Sequence, residues 1–403
     1  TKVEFAKSQG ISIAGVWAQD WSGHLETSFG YQVYWNWEKD EELYKDLPNF
    51  ISDLNDQNIR FLGYINTFLK EDTQQYNEAK EKGYLVLNQS KTPYLIKSTT
   101  FSAGIIDLTH PDAFTWYKEI IKKHMIGIGM SGWMADFGEY LPIDAIIYQG
   151  NPEEVHNLWP THWAKCNAEA IIESNQKDLF FFSRAAYTHT NLYTHSMWSG
   201  DQHVDYSKAY GFQSVIPSML GMAATGIGAS HSDIGGYTTI LHMKRSVDLM
   251  KRWSELSVFT PLFRTHEGNK PNENIQFDHP DVIHHFARMS ALFKQLSPYL
   301  HDMKEIYIKT GIPIIRPIFY HFDDSYFYTS EHCFMYGSDL IVYPMLKENT
   351  FKHSIYLPKG TWIHLFTKKA YPQGMHEIDV PYGIPSVFYQ EKSPYYDLFE
   401  NIK

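Results

Sequence analysis

The sequence predicts an α/β protein, a (β/α)8 TIM barrel followed by a small antiparallel β-sandwich domain. Three observations carry this. Short apolar runs alternate with longer helical patterns over most of the chain, and the runs are apolar at nearly every position, as strands covered on both faces are. After Tyr307 the texture changes to short aromatic and β-branched runs broken by turns. At 403 residues the chain has length for a barrel-sized domain and a smaller one, so its core needs no disulfide.

Taken in order, residues 2–9 read as a helix. Seven apolar runs follow as strands, at 11–18, 59–65, 132–135, 179–183, 195–199, 225–229 and 259–263. Helical patterns lie between them at 39–57, 111–125, 152–174, 207–222 and 242–256. Seven strands are one short of a closed barrel, and the expectation is a first strand upstream of residue 1. An open doubly wound sheet is the alternative, but no Gly-rich phosphate fingerprint follows the first visible strand. A further helix is expected at 280–300, with Asp278 as its cap and Pro280 in its first turn. The β runs of the second domain are 334–345, 353–357, 361–365 and 387–390, with Pro358-Lys359-Gly360 and Gln373-Gly374 as turn signals. The expected domains are residues 1–320 and 321–403.

Composition excludes several functions. A net charge of −11 without a basic block argues against nucleic acid and against an anionic membrane surface as partners. The longest uncharged stretch, 209–232, is interrupted by Gln213, Pro217, serines and glycines, so it reads as buried structure and not as a membrane span. Cys166 and Cys333 are expected to be buried free thiols, which suits a reducing, cytoplasmic setting, and the opening TKVEFAKSQG has no secretory pattern. Histidine is abundant, at 20 residues, yet no HExxH or Cys-His spacing occurs, so neither a metal site nor a cofactor is expected.

The chemistry concentrates at strand ends. The first strand ends in Gln19-Asp20-Trp21, the third in Asp136, the fourth in Arg184, and the fifth in Trp198-Ser199-Gly200-Asp201. The sixth ends in His231-Ser232-Asp233 and the seventh in Arg264-Thr265-His266-Glu267. In a parallel barrel the C-terminal strand ends share one face, where active sites are built, so this recurrence reads as a site and not as scattered helix caps. Two carboxylates at such ends suit glycoside cleavage. One attacks the anomeric carbon or activates water while the other protonates the departing oxygen.

Six motifs in order resemble glycoside hydrolase family 31, and within it the bacterial sulfoquinovosidases. They are GVWAQDWSG (15–23), GWMADFGEYLP (132–142), FFSRAAY (181–187), MWSGDQ (197–202), HSDIGGYTT (231–239) and FRTHEG (263–268), and Gly360-Thr361-Trp362 looks like the family's β-sandwich motif. The resemblance implies a retaining enzyme acting by double displacement on a small-molecule α-glycoside. Asp136 matches the nucleophile, and Asp201 matches the general acid and base, whose pKa should exceed its partner's. Arg184, Trp198, Asp233 and His266 match positions around the sugar hydroxyls and carboxylates, and Gln19 and Tyr237 match further sugar contacts. Sulfoquinovosidases hold the sulfonate with an Arg and a Trp three residues apart. Here Trp35 is in place, but Gln32 stands at the Arg position. An amide offers one neutral NH2 where Arg offers a charged planar fork, and losing such a contact to a sulfonate costs about 2 to 4 kcal/mol. Gln32 therefore points to a neutral α-glucoside or α-galactoside as an alternative substrate. A non-catalytic carbohydrate-binding protein is the rival from another class.

Overall fold

The computed structural model describes residues 1–28, 30–98 and 100–402. They form two compact units, residues 13–197 and residues 1–12 with 198–403. The chain opens on α1 (Lys2–Ser8), where Thr1 and Glu4 make a reciprocal capping box.

In the unit 13–197, five parallel strands lie in the order β1, β4, β8, β9, β10, the last ending one residue beyond the unit at Trp198. In chain order the elements are β1 (Gly15–Trp17), the hairpin β2 (His24–Thr27) and β3 (Gly30–Val33), α2 (Leu47–Asp56), β4 (Arg60–Ile65), β5 (Phe68–Lys70) and α3 (Gln74–Glu81). There follow β6 (Leu95–Lys97), β7 (Ser102–Ile105), α4 (Pro111–His124), β8 (Gly132–Ala135), α5 (Pro152–Val155), α6 (Trp159–Ser174), β9 (Phe180–Ser183) and β10 (Ser196–Trp198). β8 is buried at every residue, as a strand covered on both faces must be. It begins at Gly132 because no side chain fits there: an added Cβ would lie 2.0 Å from the Phe180 carbonyl oxygen. One face of β8 turns to α6, where the Trp133 indole donates to Asn167 at 2.8 Å.

In the other unit, α7 (Val215–Ala224) precedes β11 (Ser230–His231) and β12 (Asp233–Ile234). α8 (Val247–Ser257), β13 (Arg264–Thr265), α9 (Ile283–Gln295) and α10 (Ser297–Thr310) follow. β12 and β13 pair in parallel, Asp233 opposite Arg264. The chain then forms a six-stranded antiparallel sheet from β14 (Ile315–Arg316), β15 (Phe334–Tyr336), β16 (Leu340–Tyr343), β17 (Lys352–His364), β18 (Ala370–Asp379) and β19 (Ser386–Gln390), and ends in α11 (Tyr396–Glu400). One face of this sheet buries Met335, Ile341, Ile355, Leu357, Trp362 and Phe388. α8 is fastened to it by Arg252, which donates to the carbonyls of Thr350 and Val380 at 3.0 and 2.8 Å, and by Glu255, which accepts from the Gly383 amide at 2.6 Å.

Several expected elements are displaced. The runs 225–229 and 259–263 are not strands: Thr225 and Gly226 end α7, and Val258 and Phe259 sit on the turn that ends α8, both 1% exposed. An apolar run shows burial, and burial alone does not separate a strand from a helix end. The expected helix at 280–300 is two helices, α9 and α10, with Pro298 in the first turn of the second. Asp278 does not cap α9, whose N-cap is Val282. α2, α7 and α8 start later than the patterns at 39, 207 and 242; Pro48 and Pro217 lie in the first turns of α2 and α7, and the Ser246 side chain caps α8. Cys166 and Cys333 are buried free thiols, and burial pushes the Cys333 thiol up to about 11. Among the described residues no helix is long and apolar enough to cross a membrane.

Candidate active site

Parallel registers assemble the first group of side chains, in the unit 13–197. Tyr64 of β4 pairs with Met134 of β8, and Ala135 pairs with Ser183 of β9. Asp136 and Arg184 each follow the last residue of their strand, so they stand side by side. The Arg184 Nη1 lies 3.2 Å from the Asp136 Oδ1, and Nη2 ion-pairs with Glu139. Asp136 is 7% exposed and meets two further donors, the Phe137 amide to Oδ1 at 2.7 Å and the Tyr64 hydroxyl to Oδ2 at 2.5 Å. Its main chain is pinned on both sides, its amide donating to the Ile65 carbonyl at 2.9 Å and its carbonyl accepting from the Trp163 indole at 3.0 Å.

Just beyond Asp136 the backbone turns sharply. Phe137 takes φ 57° and Gly138 φ 104°, left-handed values that cost a phenylalanine about 1 kcal/mol or more. The turn places the Phe137 ring under the Arg184 guanidinium, 4.0 Å from its centroid. Burial raises the Glu139 carboxyl above its ordinary range, against the pull of Arg184 and with a further push from the Asp136 charge.

An aromatic wall continues from this turn. Trp35, 7% exposed, stacks on Phe68 at 5.0 Å and meets Phe101 and Phe137 edge-on at 5.1 and 5.7 Å. Gln32 lies on β3, half-buried, where its amide donates to the Ser98 hydroxyl and its carbonyl oxygen accepts from Thr100 at 3.3 Å. Lys70 lies on the same wall, its ammonium 4.9 Å from the Tyr34 ring centroid and 5.9 Å from that of Phe101. Gln19 sits half-buried in the turn after β1, two residues beyond the Trp17–Leu62 pair and so level with Tyr64.

The second group belongs to the other unit. Trp198 is buried at the end of β10, and exposed Asp201 lies in the turn after it, its carbonyl accepting from the Thr238 hydroxyl at 3.0 Å. Asp233, 1% exposed, ion-pairs with Arg264 at 2.5 Å, as their register requires. Burial lowers the Arg264 guanidinium, while the charges of Asp233 and Asp201 hold it up. The Tyr237 ring meets His266 edge-on at 4.8 Å. Burial, helped by Arg264 and Arg245, holds His266 well below its ordinary pKa, and its Nδ1 accepts from the Gly268 amide at 2.8 Å. His266 is therefore neutral with its proton on Nε2, a fixed donor.

Buried Arg245 ties this group together. It donates to the carbonyls of Gly235 at 3.0 Å, of Gly236, and of His266 at 2.9 Å. Sequence reasoning missed Tyr64, Glu139 and Arg245. Tyr64 read as strand core and Arg245 as part of the helical pattern 242–256, and only the Glu139 position inside GWMADFGEYLP carried a signal. Among the described residues no group of three His, Cys, Asp or Glu side chains is placed to hold a metal ion.

Comparison with known proteins gives these groups a context. The profile of the glycosyl hydrolases family 31 TIM-barrel domain matches residues 4–303, and that of the glycosyl hydrolase family 31 C-terminal domain matches residues 311–393. A sulfoquinovosidase of Escherichia coli K12 is 44% identical over 406 residues, and one of Agrobacterium fabrum C58 is 40% identical over 410; both cover 100% of this chain. A family 31 sulfoquinovosidase from E. rectale, solved with the aza-sugar inhibitor IFGSQ, superimposes with a TM-score of 0.98 at 39% identity over 100% of this chain. An α-xylosidase from a soil metagenome, at 23% identity and a TM-score of 0.84, shares the fold. The chain spans 60%, 62% and 61% of the lengths of the three sulfoquinovosidases. With both profiles matched in order and the identity running over the whole chain, this TIM barrel with its C-terminal sheet domain belongs to glycoside hydrolase family 31.

Proposed function

We propose that this polypeptide carries the catalytic machinery of a retaining α-glycosidase. Asp136 is the nucleophile: a carboxylate oxygen bonds to the anomeric carbon as the bond to the aglycone oxygen breaks. Asp201 is the acid that protonates that oxygen. In the second step water attacks the same carbon, Asp201 takes its proton, and the ester to Asp136 breaks. The observation that carries this reading is the setting of Asp136, a carboxylate 7% exposed at a strand end and addressed by three donors, Tyr64, the Phe137 amide and Arg184. In this reading Gln19, Trp198, Arg184, Asp233, Tyr237 and His266 bind and orient the sugar, the last as a neutral donor from Nε2. An Asp136→Asn variant should fold normally and lose α-glycoside hydrolysis by at least about a thousandfold. Retained turnover sinks the nucleophile assignment, whereas sugar binding without turnover in the parent favours a carbohydrate-binding role.

Two readings of the sugar's sixth carbon follow from Gln32, Trp35 and their neighbours. Identity to the named sulfoquinovosidases supports a sulfonate there, and Lys70 on the same wall offers it a positive charge. Gln32 supports a neutral hydroxyl, since its amide brings no charge and is already bonded to Ser98. Cleavage of nitrophenyl α-sulfoquinovoside measured against the α-glucoside and α-galactoside decides between them.

A further inference from the structure

We infer that Tyr64, with its proton direction set by Asn66, is a further catalytic residue that stabilises Asp136 as it departs from the glycosyl-enzyme. The inference rests on the nucleophile reading above. Four contacts in one buried chain carry it. The Asn66 Oδ1 accepts from the Phe68 amide at 2.9 Å, which fixes the side-chain flip and turns Nδ2 toward Tyr64. That Nδ2 donates to the Tyr64 hydroxyl at 3.2 Å. A hydroxyl accepting on that side directs its one hydrogen elsewhere, and its other neighbour is the Asp136 Oδ2 at 2.5 Å. The main chain of Asn66 is held in turn, its carbonyl accepting from the Tyr117 hydroxyl at 2.5 Å.

The group is buried throughout: Tyr64 is 2% exposed and Asn66 is 0% exposed. Burial and the adjacent Asp136 charge raise the Tyr64 phenol well above its ordinary value, so the proton stays on Tyr64 and is shared as a hydrogen bond only.

The consequence is asymmetric between the two chemical steps. When the ester forms, Asp136 gives up negative charge, so a donor on its carboxylate holds back the ground state. When water attacks, the C1–O bond to Asp136 breaks, the electron pair returns to the carboxylate, and Tyr64 meets developing charge with a donor already in place. A donor that acts this way speeds breakdown of the intermediate more than its formation. A residue that merely shapes the strand end would serve both steps alike.

The test is Tyr64→Phe, which keeps the ring and removes the oxygen, in the full chain. kcat should fall about tenfold to a hundredfold with a much smaller change in kcat/KM, KM should fall with it, and a burst of aglycone release should appear. Labelling with 5-fluoro-α-D-glucosyl fluoride should give a glycosyl-enzyme that turns over more slowly than the parent's by the same factor. Asn66→Asp keeps an acceptor for the Phe68 amide but presents an oxygen to Tyr64; it should shift the same ratio in the same direction. Equal losses in kcat and kcat/KM without a burst, or kinetics unchanged from the parent, overturn the inference. The labelled peptide reports separately on the underlying reading. Label on Asp136 with an unaltered lifetime in Tyr64→Phe removes Tyr64 alone, whereas label on another residue removes both.

Discussion

Replacing Arg245 with Met tests how much of the proposed sugar-binding geometry rests on a residue that is not itself expected to touch the sugar. The guanidinium is buried, and burial pushes it down to about 10, still charged at neutral pH. Its acceptors are four backbone carbonyls, of Gly235, Gly236, His266 and, more distantly at 3.5 Å, Ile275, together with the Gln276 side chain at 3.2 Å. Stripping the three closer carbonyls of their donor costs about 1 to 3 kcal/mol each, roughly 6 in all. The variant is spared the burial of a charge, worth several kcal/mol, which leaves a net loss of about 2 to 3 kcal/mol. The loop shifts readily once its donor is gone, because Gly235 and Gly236, at φ 89° and 77°, have no Cβ to restrict their backbone. Tyr237 follows these glycines directly and His266 gives up its own carbonyl contact. A displacement of about 1 Å in such groups costs on the order of a hundredfold in kcat/KM, chiefly as a raised KM. Arg245→Lys, one ammonium in place of a planar fork, should recover part of both losses. Urea unfolding and steady-state kinetics on the chosen α-glycoside measure the two effects. Stability within about 0.5 kcal/mol of the parent together with an unchanged KM would refute the positioning role.

Two further outcomes follow from the site wall and the C-terminal sheet. Gln32→Arg should raise selectivity for the α-sulfoquinovoside over the α-glucoside by about one and a half to three decades, measured as a ratio of kcat/KM; an unchanged ratio places the reading of the sixth carbon elsewhere. His364, 1% exposed, accepts at Nδ1 from the Phe366 and Thr367 amides at 3.2 Å, and burial holds it at about 4. The unfolded chain binds this proton below about 6.5 while the folded chain resists it, so stability falls as pH drops from 6.5 toward 4 at about 1.4 kcal/mol per unit. Asn at 364 can accept from the same amides without titrating, and the variant should lose about 2 kcal/mol less than the parent between pH 6.5 and 4.5 in urea unfolding.

Legibility in the sequence followed the strength of the local signal. The strand at 132–135 was readable because an apolar run buried on both faces stops at a carboxylate, and 179–183 because Phe180, Phe181 and Phe182 precede a polar pair. β11, β12 and β13 were not readable. Each is two residues long and carries Ser, His, Asp, Arg or Thr, so neither period nor composition marks a strand, and only pairing with a neighbour defines it. The hairpin β2–β3, which carries Gln32, is polar along much of its length and gave no alternation to follow. Asp136 and Arg184 were legible as residues at strand ends; their contact was not, because it depends on the register between strands separated by a helix in sequence. Tyr64 was hidden for a different reason. A tyrosine inside RFLGYI reads as core, and it is core, with its hydroxyl turned to Asp136.

That register is also what makes the site hard to lose piecemeal. Leu62 pairs with Gly132 and Gly132 with Phe180; Tyr64 pairs with Met134 and Met134 with Phe182. Continued by two residues, the next level holds Asn66, Asp136 and Arg184. Side chains alternate along a strand, so these three and Tyr64 project from the same face, while Trp133 projects from the opposite face to reach Asn167 of α6. A slip of one residue in β8 would carry Asp136 to the helix side and Trp133 to the site. Gly132 opposes that slip, since a residue with a side chain brought to its place would set a Cβ 2.0 Å from the Phe180 carbonyl oxygen. The glycine that opens the strand therefore helps decide which way the carboxylate at its far end points.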